Sequence, residues 1–213
     1  MNGSVSVRTL RALAVFGLSV PQAAGAFAEH EQRAARAAAA GVLRAVRGEA
    51  GARVLLAGPS GAGKTTAMRL AARALRRRGV RCIQVDAVRL RNERGTAVEL
   101  IPGGLEPALR TLAWAGLSDA TLLALPSRRL SEGQRWRLAL AVAQSRAARA
   151  RGGSRCVLLA DELCAGLDLA TARGVAMSAG RGRGVAIVAA TSRDELIQAI
   201  GRMPEWTVIR VEA

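Results

Sequence analysis

Short apolar-rich runs alternate along the chain with longer stretches of helical periodicity. Val54-Leu55-Leu56-Ala57, Val80 to Val85, Cys156 to Ala160 and Val185 to Ala190 are runs of the first kind. Runs of this length bounded by glycine or acid predict strands buried on both faces. Trp206 to Val211 predicts a last strand. Between them the pattern predicts helices over Gly63 to Arg78, Pro107 to Ala115, Ala120 to Leu125, Ser131 to about Ala150, Asp168 to about Ala179 and Arg193 to Ile200. Ser131 is a good N-cap and Gly79 a helix stop. Residues 87–104, with Gly95, Pro102, Gly103 and Gly104, predict irregular backbone. Upstream, residues 1–50 predict mostly helix, because Glu29 to Arg47 is rich in Ala and Arg, both good helix formers. Strands alternating with helices predict an α/β fold with a mostly parallel sheet covered on both faces. The expected division is a helical extension over 1–50 packed on a core domain over 51–213.

Composition narrows this picture. A chain of 213 residues fits one domain with a sizeable core. Half of it is hydrophobic but only 2% aromatic, with no Tyr, so the core must be built from Ala, Leu, Val and Ile. The net charge of +16 attracts polyanions such as nucleic acid or an anionic membrane. Lys64 is the only lysine among 32 basic residues. An Arg- and Ala-rich chain also reads as genome composition bias, so nucleic-acid binding stays one of two readings. Three cysteines, Cys82, Cys156 and Cys164, with no CxxC, predict buried reduced thiols and not a disulfide framework or zinc site. Arg8 and Arg11, then Leu13 to Val20, then Ala24-Gly25-Ala26 have the outline of a secretory signal. That apolar stretch is short and interrupted by Gly17 and Ser19, and is read as an amphipathic helix. No stretch approaches the ~20 apolar residues of a membrane span.

Gly58-Pro59-Ser60-Gly61-Ala62-Gly63-Lys64-Thr65, followed by Thr66, lies between a predicted strand and a predicted helix. That context makes the sequence specific for a phosphate-binding loop. Its glycines let backbone N–H groups turn inward, and the helix start adds partial positive charge. Lys64 is expected to reach the β- and γ-phosphates, and Thr65 to offer its hydroxyl to Mg²⁺. The third apolar run ends in Asp161-Glu162. A carboxylate at such a strand end is where Mg²⁺ needs one, which makes Asp161 the metal candidate. Glu162 is the candidate general base for the attacking water.

Leu130-Ser131-Glu132-Gly133-Gln134 precedes that strand by one helix and resembles the signature motif of ABC-type ATPases, usually written LSGGQ. Ala165-Gly166-Leu167-Asp168 resembles the D-loop of the same family. The likeness runs from about Arg53 to the C-terminus. It is closest to the branch of ABC-type ATPases fused to a predicted acetyltransferase domain, through Arg129 to Leu138, Ala160 to Cys164 and Ala190 to Arg193. The chain is too short upstream to hold that acetyltransferase, so its activity is not expected here. The resemblance implies a P-loop NTPase fold, ATP and Mg²⁺ as cofactors, and a head-to-tail homodimer. In that dimer Ser131, Gly133 and Gln134 of one copy, with Asp168, would meet the ATP held by Lys64 of the other. It implies a soluble, cytoplasmic ATP hydrolase acting as a dimerisation switch on an unidentified effector. A transporter subunit and a nucleic-acid-associated ATPase are the alternatives.

Three departures qualify the resemblance. The family's His after the fourth strand is replaced by Ser192-Arg193. Arg193 would either supply charge to the γ-phosphate or be a solvated residue in a helix first turn capped by Ser192. Hydrolysis is therefore expected to be slow. No Gln-loop is evident, since Gln84 falls inside a strand and Glu93 is a loop acid. Only Phe16 and Phe27 precede the phosphate loop as candidates to stack on adenine, and both read as packing residues. The lone His30 reads as solvated, and Trp114, Trp136 and Trp206 as packing residues.

Overall fold

The structure, a computed structural model, describes residues 11–12, 14–15, 20–49, 51–150, 155–180 and 184–212. Most of the signal-like segment, Phe16, the side chain of Phe27, and Gly152-Gly153 lie outside the described residues.

Strands β1 (Arg53–Ala57), β2 (Arg81–Gln84), β3 (Cys156–Ala160), β4 (Ala186–Thr191) and β5 (Trp206–Arg210) form one sheet in the order β2-β3-β4-β1-β5. Every pairing is parallel. Parallel neighbours need crossovers, and helices supply them, so both faces are covered. Alternate residues of each strand enter opposite cores. Leu55, Leu158 and Ile187 point into one cluster, and Val54, Leu56, Val157 and Val188 into the other. β3 and β4 are buried at every residue, which is why their sequences do not alternate between apolar and polar.

The order has a consequence for chemistry. β4 lies between β1, which leads into the phosphate loop, and β3, which ends at Asp161-Glu162. Because all strands run the same way, both strand ends open on one edge of the sheet, one strand apart.

Helix α1 (Val20–Gly48) has 29 residues and so spans roughly 44 Å. It packs on α2 (Lys64–Arg76) and β5. Ala35, Ala38, Ala39, Val42 and Val46 are its buried stripe, at the three-and-four spacing of one helix face. The small residues bring it close: a Cβ at Gly41 would sit 3.0 Å from Ile209 Cδ1. The opposite face is covered by α6 (Glu132–Ala148) and α7 (Leu169–Gly180), with α8 (Asp194–Gly201) near the β5 edge.

The stretch expected to be irregular is partly ordered. It holds a 3-10 turn over Arg89–Asn92 and a short helix α3 (Ala97–Leu100). Thr96 and Glu99 make a reciprocal capping box around α3, a signal present in Thr96-Ala97-Val98-Glu99 but outweighed in the sequence by the nearby glycines and proline. Helices α4 (Leu105–Trp114) and α5 (Ala120–Leu123) complete the insert. α6 starts after Ser131, whose side chain accepts from the Gln134 N–H while Gln134 Oε1 accepts from the Ser131 N–H. Ser192 does not cap α8: the N-cap residue is Arg193, whose side chain makes no capping bond and whose N–H donates to Thr191 Oγ1 at 3.3 Å. Cys82, Cys156 and Cys164 form no disulfide with one another; Cys156 and Cys164 are buried and Cys82 half-buried. Trp136 and Trp206 are buried, and Trp114 packs against the same core.

Candidate functional site

The chain leaves β1 at Ala57 and enters the loop at Gly58. A Cβ at Gly58 would collide with the carbonyl oxygen of Val211, just past β5, so the backbone approach itself demands glycine. The loop tightens through an Ala62 N–H to Pro59 carbonyl bond of 3.3 Å, with Ala62 fully buried. Gly63 N-caps α2 at φ +88°, a left-handed conformation that favours glycine. It is also a point of close approach, because a Cβ there would lie 3.0 Å from Glu31 Cγ of α1.

Lys64 Nζ donates to the carbonyls of Gly58 at 2.8 Å and Pro59 at 2.6 Å. The ammonium therefore sits across the mouth of the loop. Burial lowers its pKa below the usual lysine value, and the nearby Asp161 and Glu162 charges oppose that shift. Thr65 Oγ1 donates to Asp161 Oδ1 at 3.2 Å. The loop after β1 and the acid after β3 thus meet at one point. The first N–H groups of α2 lack intrahelical partners by the geometry of any helix start, and face an anion site.

Ser60, Gly61, Gly63, Lys64, Thr65 and Thr66 share a cavity of about 350 Å³ with Asp161, Glu162, Ser192, Arg193 and Glu31. Glu162 is exposed at its mouth. The Glu162 backbone has φ +51° and Cys164 φ +57°, so the chain turns sharply after β3. That turn buries Leu163 and Cys164, and the Leu163 N–H donates to the Ala190 carbonyl of β4 at 2.7 Å. The carboxylate of Glu162 is left facing outward.

The donors near Lys64 are hard oxygens, the set that suits Mg²⁺. Among the described residues, no group of three or more His, Cys, Asp or Glu could hold a metal ion. A hydroxyl and one carboxylate fit a magnesium ion that draws its other ligands from phosphate and water, and fit a transition metal poorly.

Arg193 stands half-buried at the cavity wall and is the N-cap residue of α8, so it is not a solvated first-turn residue capped by Ser192. Its guanidinium lines the cavity but donates to the carbonyls of Cys164, at 3.2 Å, and Leu167. It braces the turn that follows Glu162. Asp168 accepts from the Thr171 N–H at 2.9 Å and opens α7. Hydrogen bonds from the Thr171 side chain and backbone hold its carboxyl below the usual range.

The signature segment is elsewhere. Ser131, Gly133 and Gln134 line no part of the phosphate cavity of their own chain. Ser131 is exposed. Gly133 is buried against Thr171, whose Cγ2 lies 2.5 Å from where a Cβ would be. Glu132 pairs with Arg91 at 2.7 Å, and its carboxylate packs over Gly166. A second cavity, of about 420 Å³, runs from Gln84 and Arg91 to Glu132, Asp161 and Glu162. Gln84 thus reaches the edge of the site at the end of β2. Glu31, Arg91 and Thr171 are site neighbours with no local sequence signal, since each acts by tertiary approach.

A model of the ATPase family associated with various cellular activities (AAA) matches residues 54–208, from within β1 to within β5. The fold is similar to an ATP-binding cassette of an ABC transporter in its ADP conformation, with TM-score 0.53 and 16% identity, covering 78% of this chain and 80% of that one. It is also similar to a bacterial Atm1-family ABC exporter with ATP bound, with TM-score 0.51 and 20% identity, covering 76% of this chain and 32% of that one. No curated protein matches the sequence. At these identities the likeness is one of fold: a P-loop α/β sheet flanked by helices. Among the described residues, no helix is long and apolar enough to cross a membrane.

Proposed function

Since the chain belongs to the ATPase family associated with various cellular activities (AAA), we propose that it is an ABC-type ATPase in which ATP joins two copies and hydrolysis releases them. The observation that carries this reading is the 3.2 Å contact of Thr65 with Asp161 beside the Lys64 ammonium. It joins a glycine-rich loop, a hydroxyl–carboxylate pair of the kind that suits Mg²⁺ and an outward-facing carboxylate in one cavity.

In this reading Lys64 leaves its loop carbonyls for the β- and γ-phosphates. The N–H groups of Gly61, Gly63 and Lys64 orient the chain of phosphates. Thr65 and Asp161 would hold Mg²⁺, which would neutralise phosphate charge. Glu162 accepts the proton of the attacking water. Arg193, committed to carbonyls, acts by holding the Glu162 turn in shape. Turnover without a histidine at this position is slow.

Ser131, Gly133, Gln134 and Asp168 act on the ATP of a second copy. Two facts support this: these residues line no part of their own chain's cavity, and Ser131 is exposed at the start of α6, where its hydroxyl can still donate. The γ-phosphate is the group whose loss both copies sense. The division into an extension over 1–50 and an ATPase domain over 51–213, a place in the acetyltransferase-fused branch, and a cytoplasmic location belong to the same proposal.

The test uses Glu162→Gln with ATP and magnesium, followed by sizing and pull-down. A stable ATP-dependent dimer supports the reading, and a monomer at saturating ATP sinks it. The transporter reading draws on the cassettes of similar fold, and predicts that the pull-down captures a membrane protein. The net charge of +16 favours a nucleic-acid role. That role requires ATPase stimulation by DNA or RNA that fades steeply with salt.

A further inference from the structure

We infer that Glu31, on the long helix preceding the phosphate loop, is the residue that positions the ribose of the bound nucleotide. This rests on the nucleotide-binding reading of the same cavity and extends it to the nucleoside half.

Three observations converge. Glu31 lines the phosphate cavity together with Lys64, Thr65 and Thr66, although it precedes the loop in sequence by a whole helix. Its approach is built in, since its Cγ and carbonyl oxygen lie 3.0 and 3.3 Å from where a Gly63 Cβ would be, and Ala35 one turn later is fully buried. Third, α1 does not stop at the loop. It begins at Val20, so roughly 16 Å of helix stands beyond Glu31. A nucleotide whose phosphates occupy the loop must place its nucleoside beside a wall, and α1 is the wall at the Glu31 end of this cavity.

The chemistry then selects the group. An ionised carboxylate only accepts hydrogen bonds and is repelled by phosphate oxygens. With nucleotide bound, Lys64 turns to the phosphates and not to Glu31. The ribose carries two neutral hydroxyl donors spaced for one carboxylate, a pairing that acids make in other nucleotide sites. Glu31 also stands half-buried, where a charge-assisted bond is stronger than in open water.

The experiment compares ATP, 2′,3′-dideoxy-ATP and inorganic tripolyphosphate by calorimetry, with magnesium, on the full chain and on Glu31→Ala. Alanine suits a helix, so the variant should fold. The wild type should bind ATP on the order of 10-fold tighter than the dideoxy analogue, the size of one charged hydrogen bond. Glu31→Ala should shrink that ratio to within about 2-fold, while tripolyphosphate binds as before or tighter. A preserved ATP to dideoxy ratio in Glu31→Ala overturns the inference alone. So does a parallel fall in tripolyphosphate affinity, which would mean that Glu31 only props Gly63. If the wild type binds neither ATP nor tripolyphosphate, the nucleotide reading fails and this inference with it.

Discussion

Arg193 Nη1 lies 3.2 Å from the carbonyl oxygen of Cys164 and also donates to that of Leu167, so an arginine from the β4–α8 junction holds the turn after Glu162. Removing it leaves the Leu167 carbonyl without this donor and the Cys164 carbonyl with the Leu167 N–H alone, at 3.2 Å. Arg193→Ala should lower stability by about 1–2 kcal/mol in urea unfolding. It should reduce kcat more than ATP affinity, because Glu162 loses its orientation while the phosphate loop is untouched. Arg193→Lys should restore little, since one ammonium cannot copy the planar fork. Unchanged kcat in Arg193→Ala would remove this role.

Lys64→Ala removes the only lysine in the chain and the group spanning the loop mouth. ATP affinity by calorimetry should fall on the order of 100-fold, the scale of charge-assisted bonds to phosphate. The fold should survive, because Lys64 is only partly buried.

Glu162→Gln keeps the shape of the side chain and removes its basicity. Phosphate release should drop by roughly 10²–10⁴-fold with ATP affinity retained, as expected on losing a general base. A release assay paired with a binding assay separates the two effects.

Gly133→Ala drives a methyl into Thr171, with only 2.5 Å to its Cγ2. The overpacking should cost about 1–3 kcal/mol. Thr171→Ser removes that methyl, so the double variant should recover most of the loss. A double-mutant cycle by chemical denaturation measures the coupling. Additive effects would mean that α6 simply shifts away from α7.

Burial pushes the Cys164 thiol up to about 12, from an ordinary value of 9.0, against an opposing effect of Arg193. The folded state keeps its proton longer than the unfolded chain does. Its contribution is complete below pH 9 and declines as pH rises toward 12, by up to roughly 4 kcal/mol across that window. Cys164→Ala should flatten the alkaline side of the stability profile. In the native protein Cys164 should also react with thiol reagents far more slowly than the half-buried Cys82.

Much of this site was legible in the sequence because its chemistry is local. Gly58 to Thr65 is a contiguous loop between a strand and a helix, and the acids of Asp161-Glu162 follow directly on an apolar run. Ser131 and Gln134 carry their own capping box within four residues. The short helix α3 was missed because Gly95, Pro102 and Gly103 speak more loudly than one Thr-x-x-Glu pattern. The two readings of Arg193 missed its real partners because Cys164 and Leu167 lie more than two dozen residues earlier in the chain.

The sequence by itself determined the alternation of strands and helices, the phosphate loop and the acids at a strand end, since each depends on neighbours within a few residues. Only the tertiary structure decided that β4 separates β1 from β3, that Thr65 nevertheless meets Asp161, and that Glu31 of a distant helix borders the same cavity. The reason is physical: strand order, and the approach of one element to another, follow from how two apolar faces pack together. No short stretch of chain records that packing.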